Sequence, residues 1–224
     1  MILEDHLIYN ILFYFYNYYI DNIYMIYIPI GIDCDVGKFL KRQNVRNMAF
    51  PFDWNVSYNG VSKCFESNFA NFSEQSNQIN KYDVYFHHDF QNCATINSDI
   101  EKYNRRCERL INILETTNDT IIFIRKGHLN SHHIEPHGQD KIANDIKDVE
   151  HLNNILRHKY PQLKYKIVLA LGCDMCFSKD TIYKCDSNDS DDNNNNDNID
   201  IRGIDEFSNF FEYISNTYIT NINI

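Results

Sequence analysis

The chain has few basic residues for its length. Its 224 residues contain 21 Lys and Arg against 31 Asp and Glu, which gives a formal net charge of −10. A surface that binds nucleic acid needs clustered basic residues to contact the phosphates. The charge balance therefore predicts that the chain has no nucleic-acid partner.

The chain also lacks a long uninterrupted apolar run. Residues 1–24 are rich in Ile, Leu, Phe and Tyr, but polar side chains interrupt them at Asn10, Asn17, Asp21 and Asn22. A membrane-spanning helix needs about 20 consecutive apolar residues, so no span is expected here. No basic segment precedes this stretch and no small-residue cleavage site follows it, which predicts that it is not a signal peptide. We interpret residues 1–24 as an extension that docks on the domain or is dispensable.

The cysteines show no disulfide framework and no clear metal site. There are seven of them, an odd number, in a chain too long to need disulfides, which predicts free thiols in a reducing, cytoplasmic compartment. The C-x-x-C at residues 173–176 has no second pair to complete a zinc ribbon, and Pro136 interrupts the His-rich segment at residues 128–137. No pattern indicates a cofactor, a metal or a particular oligomeric state.

Strand-like and helix-like segments alternate from residue 25 onward. Apolar runs predict strands at residues 25–30, 82–86, 120–124 and 165–171, with an edge strand at 218–224. Apolar residues at helical spacing predict helices at residues 35–43, 59–68, 98–116, 142–158 and 205–215. This alternation predicts one α/β domain over residues 25–224, with a mostly parallel sheet and helices on both faces. The Asp- and Asn-rich residues 186–200 are expected to form a disordered loop within it.

Cys34 lies where the first predicted strand gives way to the first predicted helix. Backbone N–H groups point outward at the start of a helix, and the helix dipole favours a thiolate over a thiol. This position is typical of a nucleophilic cysteine. The alternative is a small packed side chain, because free cysteines are among the most buried residues.

A longer pattern surrounds Cys34. It consists of Gly31, Cys34, Leu40, Arg42, Arg46, Ala49 and Pro51 to Trp54. Shorter blocks follow in order, at residues 86–90, at 102–109 and at 123–125. Together these blocks resemble the papain-like cysteine peptidase family of bacteria and large DNA viruses, over about residues 25–125. The resemblance implies a hydrolase with a cysteine nucleophile that acts on an acyl or amide substrate. Papain folds pair a helical half with an antiparallel half, so for the architecture we follow the alternation of strands and helices.

The family-like blocks are expected to meet at one edge of the sheet. Cys34 follows the first predicted strand, His87 and His88 follow the second, and Arg125 follows the third. Ligands of open α/β sheets bind at the carboxyl ends of the strands.

In a Cys–His hydrolase, Cys34 would attack the carbonyl and a histidine would act as base. His88 matches the family's single histidine before Asp-Phe, and His87 is the alternative. Asp53 or Asp89 would orient the ring, unless these residues only cap a turn and a strand.

A second hypothesis assigns the chain to another class. Arg46, Arg105, Arg106 and Arg125 match family positions in an acidic protein, and arginine forks suit phosphate, sulfate or carboxylate. The turn at residues 31–37 has the geometry of an anion site at a helix start, although it lacks the Gly-Lys-Ser/Thr of a P-loop. The chain would then be a transferase or binding module for a phosphorylated or nucleotide-sugar ligand, with Cys34 merely packed.

Asp53 separates the two hypotheses, because it lies between two large aromatic residues. A carboxylate held in such surroundings must find a cation or hydrogen-bond donors. If its partner is a histidine, Asp53 orients a catalytic base. If its partner is Arg46, the pair fastens the loop over the first helix, and this is the arrangement that we favour.

Overall fold

The computed structural model describes residues 25–57, 60–127, 142–172, 198–204 and 207–219. Its strands are β1 (Met25–Pro29), β2 (Val56–Ser57), β3 (Gln75–Ser76), β4 (Ile79–Asn80), β5 (Val84–Tyr85), β6 (Thr120–Lys126), β7 (Lys164–Gly172) and β8 (Ile199–Ile204). Its helices are α1 (Asp35–Arg42), α2 (Val61–Glu66), α3 (Ile96–Thr116), α4 (Ile142–Lys159) and α5 (Phe207–Ile214), followed by a π-helical turn (Ser215–Ile219).

Several predictions lie outside the described residues. They concern the extension at residues 1–24, the His-rich segment, the C-x-x-C at residues 173–176, residues 186–197 of the Asp- and Asn-rich loop, and residues 220–224.

The longer strands form a four-stranded parallel sheet in the order β1–β6–β7–β8. Each strand is rich in β-branched or aromatic residues, as buried parallel strands usually are. All four carboxyl ends lie along one side of this sheet, which we call the carboxyl edge. The predicted α/β class is confirmed, and three of the five predicted strands belong to this sheet.

Both faces of the parallel sheet are covered, because successive side chains point to opposite sides of a strand. On one face, Ile121 and Phe123 of β6 pack with apolar residues of α2, α3 and α4. On the other face, Ile122 and Ile124 pack with α1 and α5. This alternation along one strand places α1, with Cys34 before it, on the face opposite to α3.

A second, antiparallel sheet was not predicted. Its two-residue strands pair in the order β2–β5–β4–β3. The predicted strand at residues 82–86 is β5, shorter than expected and part of this sheet, so the parallel arrangement covers only one of the two sheets. The buried Asn80 organises the segment, because its Oδ1 accepts from the amides of Tyr82 and Val84 and its Nδ2 donates to the Phe72 carbonyl.

The C-terminal elements differ from the prediction in two places. Residues 199–200, which were predicted to end a disordered loop, instead begin β8, a strand that the sequence did not predict. Residues 218–219 belong to the π-helical turn and not to an edge strand. Tyr218 explains this, because its hydroxyl donates to Asp200 in β8 and its carbonyl accepts from Tyr27 in β1, which holds the turn against the sheet.

None of the helices in the described part of the chain has both the length and the apolar character that crossing a membrane requires.

A buried ion pair joins the parallel sheet to α4 and β2. Arg125 and Asp145 are both fully buried, and Arg125 Nε donates to Asp145 Oδ1 at 2.8 Å. Arg125 Nη1 donates to the carbonyls of Ile30, at 2.8 Å, and Ser57, at 3.1 Å. A guanidinium cannot lose its proton in a protein, so its burial requires these acceptors.

We expect Asp145→Asn to lower the free energy of unfolding by about 3–5 kcal/mol, because it leaves a buried guanidinium without its counter-charge. Denaturant unfolding at neutral pH measures the loss. The matched control is Arg105→Gln, which removes an exposed arginine whose ion pair with Glu101 is open to solvent. Equal stabilities for the two variants would contradict the assigned importance of the buried pair.

Candidate active site

The backbone before Cys34 makes a tight turn at the carboxyl edge. The amide of Ile30 donates to the Ile124 carbonyl, and the amide of Lys126 donates to the Gly31 carbonyl. Gly31 has φ +101°, and a Cβ there would lie 2.3 Å from Ser57 Oγ and 2.7 Å from Arg125 Nη1. Only glycine fits this position, since a side chain would collide with the buried arginine.

Cys34 immediately precedes α1 and is half-buried. Its carbonyl accepts the first hydrogen bond of the helix, from the amide of Lys38. Asp33 lies one residue before the N-cap, and its Oδ1 accepts from the amide of Asp35 at 2.8 Å. The predicted position of Cys34, between a buried strand and a helix N-terminus, is confirmed.

Charged side chains lie near Cys34, some from its own segment and one from the end of β6. The Cys34 sulfur is the main cause that raises the pKa of Lys38, one turn along α1. Lys126, at the end of β6, donates to Asp33 Oδ2 at 2.8 Å and to Asp35 Oδ2 at 2.5 Å. Sequence analysis missed both lysines. The sequence feature that could have identified Lys126 is its position at the end of a buried strand, because a cation there needs carboxylate partners.

The two candidate histidines follow a strand of the antiparallel sheet, and β2 of that sheet is bound to the Cys34 turn, because the Ser57 amide donates to the Ile32 carbonyl at 2.8 Å. His87 and His88 follow β5 of the antiparallel sheet, and both are exposed. Their rings contact each other with centroids 4.7 Å apart. Within the described residues, neither histidine has a hydrogen bond to Cys34. The expected convergence at the carboxyl edge depended on a second parallel strand before His87, and β5 is not in that sheet.

Asp89 binds to α3 and not to a histidine. Its Oδ2 accepts from the Tyr103 hydroxyl at 2.7 Å and its Oδ1 accepts from Lys102 Nζ at 2.6 Å. Burial, together with the charge of Asp89, raises the pKa of Tyr103. Phe86 and Phe90 pack against the same tyrosine ring. In this arrangement the segment at residues 86–90 anchors a loop to α3.

Asp53 is fully buried and pairs with Arg46, which is the partner that we favoured. Its Oδ2 accepts from Arg46 Nε at 3.1 Å, from Arg46 Nη2 and from the Phe50 amide at 3.0 Å. Burial raises the pKa of the Asp53 carboxyl, and Arg46 opposes that rise. A Cβ at Gly37 of α1 would lie 3.1 Å from the Asp53 carbonyl, so the ion pair holds this loop close against α1.

The four candidate anion-binding arginines have different surroundings. Arg46 pairs with Asp53, and Arg125 with Asp145. Arg105 is exposed beside Glu101, with 3.8 Å between Nη1 and Oε2. Arg106 lies over the Tyr103 ring, 5.1 Å from its centroid, and its buried Nη1 has no hydrogen-bond partner within the described residues. The carboxyl edge receives only Arg125 of this set, and Asp145 already neutralises it.

Comparison of the chain with protein-family models, with curated proteins and with solved structures gives no match. The resemblance to papain-like cysteine peptidases therefore stays a prediction carried by the sequence blocks that begin at Gly31.

We expect Arg46→Gln to destabilise the fold in a pH-dependent way. Without its cation, the buried Asp53 carboxyl has a folded-state pKa further above its unfolded value than before. When the folded-state pKa of a carboxyl group lies above its unfolded value, the folded state is favoured at low pH, where the group is protonated. That stability is lost as the pH rises through the folded-state pKa. The variant should lose about 3–5 kcal/mol of unfolding free energy at neutral pH, and clearly less near pH 4.

Denaturant unfolding at the two pH values measures this difference. Arg42→Gln is the matched control, because Arg42 is exposed on the neighbouring helix. If Arg46→Gln loses the same amount of stability at both pH values, Arg46 acts through packing and not through its charge on Asp53.

Proposed function

We propose that the chain is a papain-like cysteine hydrolase that uses Cys34 as its nucleophile on an acyl or amide substrate. The observation that carries this proposal is the placement of Cys34. It is a half-buried thiol at the N-terminus of α1, at the carboxyl edge of a parallel sheet and beside the ammonium of Lys38. Ligands of open α/β sheets bind at this edge.

Two sources of positive charge lie at the Cys34 sulfur. The helix dipole places partial positive charge at the sulfur, and Lys38 adds a full positive charge, which is screened because its side chain is 49% exposed. A hydrogen bond to the Cys34 sulfur is the main cause that raises the pKa of Lys38, so the two side chains are neighbours. We propose that these positive groups, and not a hydrogen-bonded histidine, prepare Cys34 for attack.

The start of α1 also suits the charge that develops during acyl transfer. When the thiolate attacks a carbonyl carbon, the carbonyl oxygen becomes an oxyanion that needs N–H donors. The first amides of a helix have no partners within the helix, and Asp33 occupies the amide of Asp35. The remaining first-turn amides of α1 are our candidate donors. The leaving group takes up a proton as it departs, and water then releases the acyl group from the sulfur.

The resemblance implies His88 as the base, with His87 as the alternative. The exposed loop after β5 carries both rings, so this role stays a prediction. The second candidate function, a transferase or binding module for an anionic ligand, has less support. Arg46 and Arg125 are held by buried carboxylates, which leaves little of their charge for a ligand.

A thiol-labelling experiment tests the proposal. We expect iodoacetamide to label Cys34 with a pH midpoint below about 8.5, the value of an unperturbed cysteine. p-Nitrophenyl acetate should transfer one acetyl group to Cys34 and release nitrophenol in a burst, followed by slower turnover. Peptide mass spectrometry locates both modifications.

Two variants control this experiment. Cys34→Ala should lose the burst, whereas Cys93→Ala should keep it, because Cys93 is an exposed cysteine on the loop before α3. An ordinary midpoint for Cys34, or equal acetylation of Cys34 and Cys93, would contradict the assignment of Cys34 as the nucleophile.

A further inference from the structure

A single buried lysine joins the two carboxylates on either side of Cys34. Lys126 Nζ lies 2.8 Å from Asp33 Oδ2 and 2.5 Å from Asp35 Oδ2. The Lys126 side chain is only 10% exposed, so its ammonium is largely withdrawn from water. A buried ammonium must be paired, and this one contacts the residue before and the residue after the cysteine.

The parallel pairing of β1 and β6 places Lys126 there. The register aligns Pro29 with Ile124, so the end of β6 runs alongside the turn that leads to Cys34. The Lys126 amide also donates to the Gly31 carbonyl at 3.0 Å. Both the backbone and the side chain of Lys126 therefore bind the turn, which fixes it to the neighbouring strand.

The directions in which the pKa values of Lys126 and Asp35 are shifted agree with an ion pair between them. Burial lowers the pKa of Lys126, but the hydrogen bonds to Asp33 and Asp35 outweigh it and raise that pKa overall. Burial raises the pKa of Asp35, but Lys126, with smaller contributions from Lys38 and Arg42, outweighs it and lowers that pKa overall. The ammonium and the Asp35 carboxylate thus stabilise each other in their charged forms.

We propose that Lys126 is a positioning residue of the Cys34 site, which fixes the Cys34 turn to the sheet and neutralises the carboxylates that flank the nucleophile. This inference rests on the proposed function of Cys34. The charged groups near the cysteine include Asp33, Asp35 and Lys38 on its own segment and Lys126 from β6, and Arg42 also acts on Asp35. Lys126 offsets the two carboxylates, and without it a thiolate would form beside carboxylates that have lost their buried cation.

Lys126→Gln removes this charge. We expect the pH midpoint for iodoacetamide labelling of Cys34 to rise by about one unit relative to the parent chain, because unpaired carboxylates nearby disfavour a thiolate. Well below the midpoint, about tenfold less thiolate is present, but a more basic thiolate is also more nucleophilic. The labelling rate there should therefore fall only about threefold. Lys126→Arg keeps the charge and should restore most of the parent midpoint.

A suppressor variant separates charge from mere stability. Adding Asp33→Asn and Asp35→Asn to Lys126→Gln removes the unpaired carboxylates and leaves Lys38, so the midpoint should fall to that of the parent or below it. Lys164→Gln is the matched control, because Lys164 is an exposed lysine at the opposite edge of the same sheet. It should leave the midpoint unchanged. A raised midpoint that the suppressor does not lower would overturn the proposal, since the effect would then come from a loosened turn.

A single carboxylate variant keeps the test decisive if Lys126→Gln fails to fold. The Asp35 side chain is 44% exposed, so Asp35→Asn should fold, and it should lower the Cys34 midpoint by removing one negative charge. An unchanged midpoint in Asp35→Asn overturns the inference. The proposed function is judged separately, by the absolute midpoint and acetylation of Cys34 in the parent chain, whereas Lys126 is judged by differences between variants.

Discussion

The buried guanidinium of Arg125 is the constraint on which the carboxyl edge depends. A guanidinium carries a charge and only donors, and this one is fully buried, so the fold has to surround it with acceptors. Asp145 supplies the counter-charge from the first turns of α4, while the carbonyls of Ile30 and Ser57 accept from Nη1. One side chain thereby fixes the end of β1, the strand β2 and the start of α4 relative to each other. Gly31 follows from the same constraint, because Nη1 occupies the space of any Cβ there.

The last two residues of β6, Arg125 and Lys126, form ion pairs on opposite faces of the sheet. Successive side chains point to opposite sides of a strand. Arg125 therefore meets α4 on one face, while Lys126 meets the turn before α1 on the other. The charged groups of these two side chains lie at the carboxyl edge, at the end of an otherwise apolar strand. A change of one residue in the register of β6 would exchange the two cations and leave each facing the wrong carboxylates, so these pairs help to define the register as well as to stabilise it.

The long elements could be predicted from the sequence because their apolar residues repeat with the period of the structure. The stripe of Tyr103, Cys107, Leu110 and Leu114 defined α3, and the apolar runs defined β1, β6 and β7. The antiparallel sheet has no such signal, since a strand of two residues has no period and its pairing comes from turns such as the one around Asn80. The Arg46–Asp53 pair was predictable because a carboxylate between aromatic residues needs a cation nearby. The partner of Arg125 was not, since Asp145 is 20 residues away on another element.

The fold gives structural reasons for several of the family-like positions, but not for Cys34. Asp53 and Arg46 form a clamp, Asp89 binds α3, and Phe86 and Phe90 pack around Tyr103. Each of these residue types is needed for the contact that it makes. Cys34 differs, because the helix start uses only its backbone carbonyl and its half-buried sulfur fills no part of either apolar core. Packing alone therefore gives no reason for a cysteine at this position, whereas a nucleophile at the carboxyl edge requires one of the few side chains that can form a covalent intermediate.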